Sequence, residues 1–499
     1  MGRMIELDGR RLTVRAAEEI VFRGVEVRPT EESLERVEEG FRAVRRAVAR
    51  GERIYGVSTG LGKLSEVPIP REGQRRLQEN LLRSHAVAVG EPLPDEASRA
   101  ALLFRLNSLL LGHSGVRREV IHYLVKLLNH QVYPSIPAKG SVGASGDLAP
   151  LAHLALILIG EGEAKLSRDG ELLPGKEVLR RLRLEPLELE PKEGLALING
   201  TQVSLAVGFL ALVRARKLLE GAQLLSALAL EAYGGKTEPY DERFHWARPH
   251  PGQLEVAARI RDLLRGSRLV DPDSSNGSVQ DPYSLRCVPQ VLGASAEVVE
   301  FVKGKIEIEM NSATDNPLVF PETGEILSGG NFHGQPLALA FELLAQATAE
   351  IGSLAERQLN LILNAPGLPR FLAEEPGSNS GLMLLQYTAA ALVSENKVLA
   401  HPAAVDSIPT SGGIEDHNSL CSISAYKALK IVENVEQILA LELLALAQAL
   451  DFREASKMAP ATSKAYGAIR DRITHLAADR IMGEDIKKAV ELIREGLKG

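Results

Sequence analysis

The chain has 499 residues, 45% of them hydrophobic and 25% charged, which suits a globular protein with two or three domains and a large core. Its formal charge of -7 argues against nucleic acid or an anionic membrane as the main partner, and its two cysteines, Cys287 and Cys421, give no disulfide framework and suit a reducing compartment, the cytoplasm. The opening MGRMIELDGRRL lacks the apolar core of a signal peptide, and the apolar runs look too short or too interrupted to span a bilayer.

In chain order, Leu34, Val37, Phe41, Val44 and Val48 fall on one face of a helix opened by Pro29-Thr30 and closed by Gly51. Leu77 to Val89 reads as a mainly apolar helical stretch carrying a lone His85. The glycine-rich loop KGSVGASGD follows, and Leu148 to Ile159 reads as a buried helix starting just after it. Arg168-Asp169-Gly170 supplies the turn of a small hairpin over Ala164 to Leu173. Three long helical patterns come next, at Val203 to Ala232, Pro336 to Asn364 and Ser419 to Asp451. Their apolar residues run nearly all the way round, which predicts helices buried by neighbours or by other subunits. The fold expected is all-α, a long-helix bundle with a minor β hairpin. It divides into an N-terminal part, 1–200, bearing the loop, and a long-helix core, 201–499.

Ala144-Ser145-Gly146 is the tripeptide that can close on itself. The Gly146 amide nitrogen would attack the Ala144 carbonyl carbon, an approach that a side chain on residue 146 would hinder. Ser145 would then lose its hydroxyl as water and become an exocyclic methylene. The product, a methylidene-imidazolone, is an electrophile made without an external cofactor, and the N-terminus of the following helix would stabilise negative charge on it. Taken alone, Ser-Gly-Asp before an apolar run is also an ordinary helix cap.

Other polar, glycine-rich clusters punctuate the helices: Tyr55-Gly56-Val57-Ser58-Thr59-Gly60-Leu61-Gly62, Arg83-Ser84-His85, Asn199-Gly200-Thr201-Gln202, Gln280-Asp281-Pro282-Tyr283-Ser284-Leu285-Arg286, Gly329-Gly330-Asn331-Phe332-His333 and Glu415-Asp416-His417. With GSVGASGDLAPLAHLAL, their order and approximate spacing resemble the histidine and aromatic amino acid ammonia-lyase family. The resemblance implies that Ala144, Ser145 and Gly146 form the ring, with Asp147 assisting cyclisation. It makes Tyr55 the base for the β-proton and lets Asn199 hydrogen-bond the ring carbonyl or the substrate. Arg286 would hold the α-carboxylate, Tyr283 and Gln280 would complete a polar wall, and Phe332 would pack near the ring. His85 and Glu415 match positions that bind an imidazole side chain and assist catalysis. A homotetramer with active sites shared between subunits, and no metal, is implied as well.

Physical chemistry supports this division of labour. A guanidinium fork suits a carboxylate, and the three-residue spacing of Tyr283 and Arg286 lets both face one cavity if the segment is helical. A tyrosine with lowered pKa, beside positive charge and helix N-termini, can accept a weakly acidic proton. A polar imidazole at residue 85 and a carboxylate at residue 415 suit a substrate side chain that both donates and accepts hydrogen bonds, so L-histidine is the expected substrate, with trans-urocanate and ammonia as products. Ser58, Leu61 and the run Ser411-Gly412-Gly413-Ile414 depart from the family's usual residues, and Ile414 in place of an amide would alter side-chain recognition. A tyrosine or phenylalanine lyase or aminomutase is the alternative. A distant one is a serine hydrolase using Ser58 of Gly56-Val57-Ser58-Thr59-Gly60, which needs a strand before the serine and a helix after it.

Overall fold

The computed structural model describes residues 3–168, 170–270 and 279–497. Helix α1 (Glu31–Ala49) begins where the Thr30 side chain accepts the Ser33 amide and ends just before Gly51, whose φ is 76°. Its Val37, Phe41 and Val44 are buried, as their spacing requires. α2 (Arg71–His85) stops at His85 and does not run on to Val89, because the β-branched residues that follow lead into a short strand, Val89–Pro92, paired with Pro137–Lys139.

α3 (Asp95–Leu109) is buried at every residue from Ala97 onward and must satisfy two guanidinium groups inside the protein. Arg99 donates to the carbonyls of Ile20 and Leu128, and Arg105 to those of Ala196 and Asn199. α4 (Leu148–Leu156) tightens into a 3-10 turn over Ile157–Ile159. After α5 (Glu193–Ile198) comes α6 (Gln202–Tyr233), then a single turn, α7 (Tyr283–Arg286), and α8 (Val288–Met310). α9 (Gln335–Ile362) and α10 (Cys421–Asp451) complete the long helices. α6, α9 and α10 are the three read from the apolar pattern, with ends displaced by at most two residues. α9 is long and apolar enough to cross a membrane by length and composition, which differs from expectation, but 67% of its apolar window is buried within the chain, as in a core helix.

The expected hairpin forms, with Ala164 opposite Leu173 and a third strand, Tyr133–Pro134, on its outer edge. Asp169 of its turn lies outside the described residues. Two further pairs carry too few residues for alternation to announce them: Met4–Leu7 parallel to Glu26–Pro29, and Leu318–Phe320 antiparallel to Glu325–Leu327.

The chain gathers into two compact units, neither a single run of sequence. One comprises residues 1–210, 303–342 and 402–426; the other comprises 211–302, 343–401 and 427–499. In the first, Phe209 packs edge-on against Phe104 at 5.5 Å between ring centres and stacks near Phe22 at 6.3 Å. In the second, Arg214 grips Glu436 through two bonds of 2.7 Å. Also in the second, both carboxyl oxygens of Glu442 are buried without a hydrogen-bond partner, and burial pushes that carboxyl well above its ordinary range.

Candidate active site

The Ala144-Ser145-Gly146 loop is held in a tight turn, with φ of 77° at Gly143, 51° at Ser145 and 75° at Gly146. A side chain at residue 146 is impossible without movement, since its Cβ would lie 2.2 Å from the Gly200 carbonyl oxygen. That same oxygen accepts the Asp147 amide at 2.7 Å. The Asp147 side chain makes no capping bond to α4, the helix it precedes. It is fully buried and accepts instead from the amide and hydroxyl of Ser204, at 2.7 and 2.6 Å, so it caps the first turn of α6. Burial pushes this carboxyl up, and the two Ser204 bonds pull it down.

Asn199 reaches the loop from the turn between α5 and α6, its side-chain N–H donating to the Ser145 carbonyl at 2.9 Å. Arg105, which the sequence reading did not single out, holds that turn. Its guanidinium donates to the Ala196 and Asn199 carbonyls at 3.0 Å each and to the Gln202 side chain, and burial draws it down to about 10. The signal was present in the sequence as an arginine inside the apolar run ALLFRLNSLL. A second unread support is the fully buried ion pair of Lys192 and Asp315, 2.6 Å apart, which sits beside the start of α5.

Next to the loop, within the first unit, lies a cavity of about 400 Å³. Tyr55, His85, Ser145, Asn199 and Glu415 all line it, so five of the expected residues meet although they span 360 positions of sequence. Leu61, Leu77, Leu81, Leu148 and Leu195 form its apolar wall. Glu415 Oε1 accepts the Ser145 hydroxyl at 3.3 Å, and Oε2 accepts the Thr410 hydroxyl at 2.6 Å. The Gly62 amide donates to the Tyr55 hydroxyl oxygen at 2.9 Å.

Tyr55 corrects the expectation of a lowered pKa. Burial raises its phenol, the Gly62 amide pulls it down, and the negative charge of Glu415 raises it further. The sequence places glycines and helix ends near Tyr55, but none of the lining residues is a lysine or arginine. His85 is drawn down by burial, against an opposing bond to Leu81 and the pull of Glu415, which favours the neutral ring, and its Nδ1 lies 3.0 Å from the Ser84 hydroxyl.

Other expected residues lie elsewhere. Ala144 is half-buried in the loop, and Phe332 is half-buried in the 329–334 loop; neither lines the cavity. Gln280, Tyr283 and Arg286 belong to the second unit and do not line it either. There the segment is helical, the single turn α7, and the Arg286 guanidinium stacks over the Tyr283 ring at 4.6 Å. Tyr283 is 71% exposed, and Arg286 Nε is buried with no hydrogen-bond partner.

Ser58 does not sit on a nucleophile elbow, because a turn precedes it and its hydroxyl is already engaged. It donates to the Glu52 carbonyl at 2.8 Å and accepts the Ile54 amide at 2.8 Å, which leaves the hydrolase reading without its serine. Ile414 is 54% exposed and lies outside the cavity lining, so this departure does not reach the pocket wall.

The same arrangement has relatives. A sequence profile described as aromatic amino acid lyase matches residues 12–471. Histidine ammonia-lyase of Anaeromyxobacter dehalogenans is 49% identical over 499 residues, covering 98% of each chain. Among solved structures, histidine ammonia-lyase from Trypanosoma cruzi superposes with a TM-score of 0.91 at 40% identity, covering 99% of this chain and 94% of that one. Tyrosine aminomutase from Streptomyces globisporus gives 0.94 at 39%, covering 99% and 97%. The chain belongs to the aromatic amino acid lyase family. It is an enzyme, a carbon–nitrogen lyase.

Proposed function

We propose that this lyase eliminates ammonia from L-histidine to leave trans-urocanate. The observation that carries the reading is the shared cavity of Ser145, His85 and Glu415. A neutral imidazole and a carboxylate stand beside the loop that would carry the electrophile, a pairing suited to a substrate ring with one N–H to give and one lone pair to receive. The 49% identity to a histidine ammonia-lyase supports the same substrate.

Three features fit a methylidene-imidazolone at residues 144–146. The turn is already tight at Ser145 and Gly146, only glycine fits against Gly200, and Asn199 keeps a buried Oδ1 without a partner beside the Ser145 carbonyl. When formed, that group supplies an electrophile that makes elimination of an amine feasible at neutral pH. Asn199 holds the carbonyl of the group through its side-chain N–H, and the buried Asp147 and Arg105 keep the flanking turns in place. Tyr55 takes the β-proton on its hydroxyl oxygen. A substrate ammonium supplies the positive charge that the cavity lining lacks and draws the phenol back down. Glu415 and His85 hold the imidazole and assist catalysis, and the leucine wall excludes water.

In this reading Arg286 holds the α-carboxylate and Tyr283 and Gln280 complete the polar wall, in a site shared with another copy of the chain, and Phe332 packs near the group. Support for a homotetramer comes from apolar side chains left exposed on long helices, among them Ile308 at 64%, Leu339 at 51% and Leu343 at 40%. The free thiols Cys287 and Cys421 suit the cytoplasm.

The test is incubation with L-histidine, L-tyrosine and L-phenylalanine separately, measuring ammonia and the organic product. Urocanate from histidine is expected. A β-amino acid from tyrosine, the reading that the aminomutase relative favours, would replace it.

A further inference from the structure

The proposed chemistry depends on which oxygen Glu415 presents to the cavity, and a short loop decides that. Ser411, Gly412 and Gly413 take φ of 51°, 63° and 87°, three successive left-handed residues that curl the chain until Thr410 and Glu415 face each other. The Thr410 amide donates to the Glu415 carbonyl at 3.0 Å, and the Glu415 amide returns the bond at 3.4 Å. Inside this closed turn the Thr410 hydroxyl gives its single proton to Glu415 Oε2 at 2.6 Å, while Oε1 faces Ser145. With that proton committed, Thr410 Oγ1 can only accept on its other side, and the buried Asn418 amide is placed to donate to it at 3.4 Å. Asn418 directs its two N–H groups chiefly at the carbonyls of Ile408 and Glu415, at 2.5 and 3.3 Å, sharing one of them with Thr410 Oγ1, and so braces both ends of the turn.

We infer that Thr410 is a positioning residue for elimination, one that acts through Glu415 by engaging Oε2 so that Oε1 alone addresses the substrate. This deepens the histidine reading and rests on it. A glutamate side chain has three torsions, and without the hydroxyl its carboxylate is free to turn either oxygen, or neither, toward the cavity; holding it in advance spares that reorganisation at the moment of reaction. The bond is charge-assisted, the stronger kind.

Thr410→Val removes the hydroxyl at nearly constant volume. It leaves the two backbone bonds of the turn, and Asn418 keeps its two carbonyl acceptors, so the fold has no reason to fail. Thr410→Val and Thr410→Ser are compared with the unaltered enzyme for kcat and KM on L-histidine, thermal midpoint, and the intact-mass loss of two waters that reports ring formation, one carrying the Ala144 carbonyl oxygen and one the Ser145 hydroxyl. The valine variant is expected to lose about tenfold to a hundredfold in kcat with KM changed by less than about twofold, at unchanged midpoint and with the same two-water deficit from its encoded mass; serine restores kcat to within about threefold. A valine variant with unchanged kcat overturns the inference, and so does one whose midpoint falls, or whose two-water loss fails, together with kcat, since Thr410 would then be a purely structural residue. If valine does not yield folded protein, Thr410→Ala replaces it: alanine slow and serine fast at equal midpoint supports the inference, and equal rates overturn it. Failure of the unaltered enzyme to turn over L-histidine would remove the substrate reading and the inference together. Turnover of L-histidine with an indifferent valine variant removes the inference alone.

Discussion

Gly146→Ala tests whether the loop is built for ring closure. At a φ of 75° an alanine carries a left-handed penalty of roughly 1–2 kcal/mol. Its Cβ would lie 2.2 Å from the Gly200 oxygen, so the two segments must part by about 1 Å to reach ordinary contact. That movement breaks the 2.7 Å bond from the Asp147 amide to the same oxygen, a loss of about 1 kcal/mol. The sum is about 2–3 kcal/mol, which lowers a urea midpoint by up to about 1 M at a slope of about 3 kcal/mol/M or steeper. Separating Gly200 from the loop also shifts Asn199, so the Ser145 carbonyl loses its donor. Purified variant protein is expected to unfold earlier in urea and to show no two-water loss by intact mass. An unchanged midpoint with the full mass loss would refute the reasoning, since the close approach would then constrain nothing.

Other outcomes are expected elsewhere in the chain. Lys192→Met strands Asp315 in the core and costs about 3–5 kcal/mol in urea unfolding, part of which returns in the double variant with Asp315→Asn; no loss would mean that the pair is not buried in solution. For Glu442→Gln the sign follows from a carboxyl raised by burial: the native state keeps the proton that the unfolded chain gives up, so the stabilisation by glutamine grows as pH rises above the ordinary carboxyl range, at about 1.4 kcal/mol per pH unit while the native carboxyl stays protonated. Unfolding curves at several pH values with no trend in the difference would contradict it. His85→Leu should move preference from L-histidine toward L-phenylalanine in competition assays, and unmoved selectivity would show that the ring binds elsewhere.

The long helices were legible because Leu and Ala recur with the helical period over nearly thirty residues, a signal too long to arise from a strand. The end of α2 was not, since Val87 and Val89 continue the apolar pattern while favouring extended backbone. Tyr55, His85, Ser145, Asn199 and Glu415 were identified by local clusters whose order resembles one family, and the cavity joins them. What pattern could not supply is burial and distant charge. The Lys192–Asp315 pair looks like surface charge until the core closes round it, whereas Arg105 stands inside an apolar run and only its partners are hidden from pattern. The raised phenol of Tyr55 depends on the burial of its side chain and on Glu415, 360 residues further along the chain.

Asp147 adjoins the tripeptide proposed to cyclise, yet its carboxylate is held by Ser204 at the start of a 32-residue helix. The turn that would bring Gly146 toward Ala144 is therefore anchored only once that helix exists. Under the proposed ring closure, self-modification would then be a late event in the life of the chain. A nascent or misfolded copy would stay chemically unarmed, and the presence of the electrophile would certify that folding had already been completed.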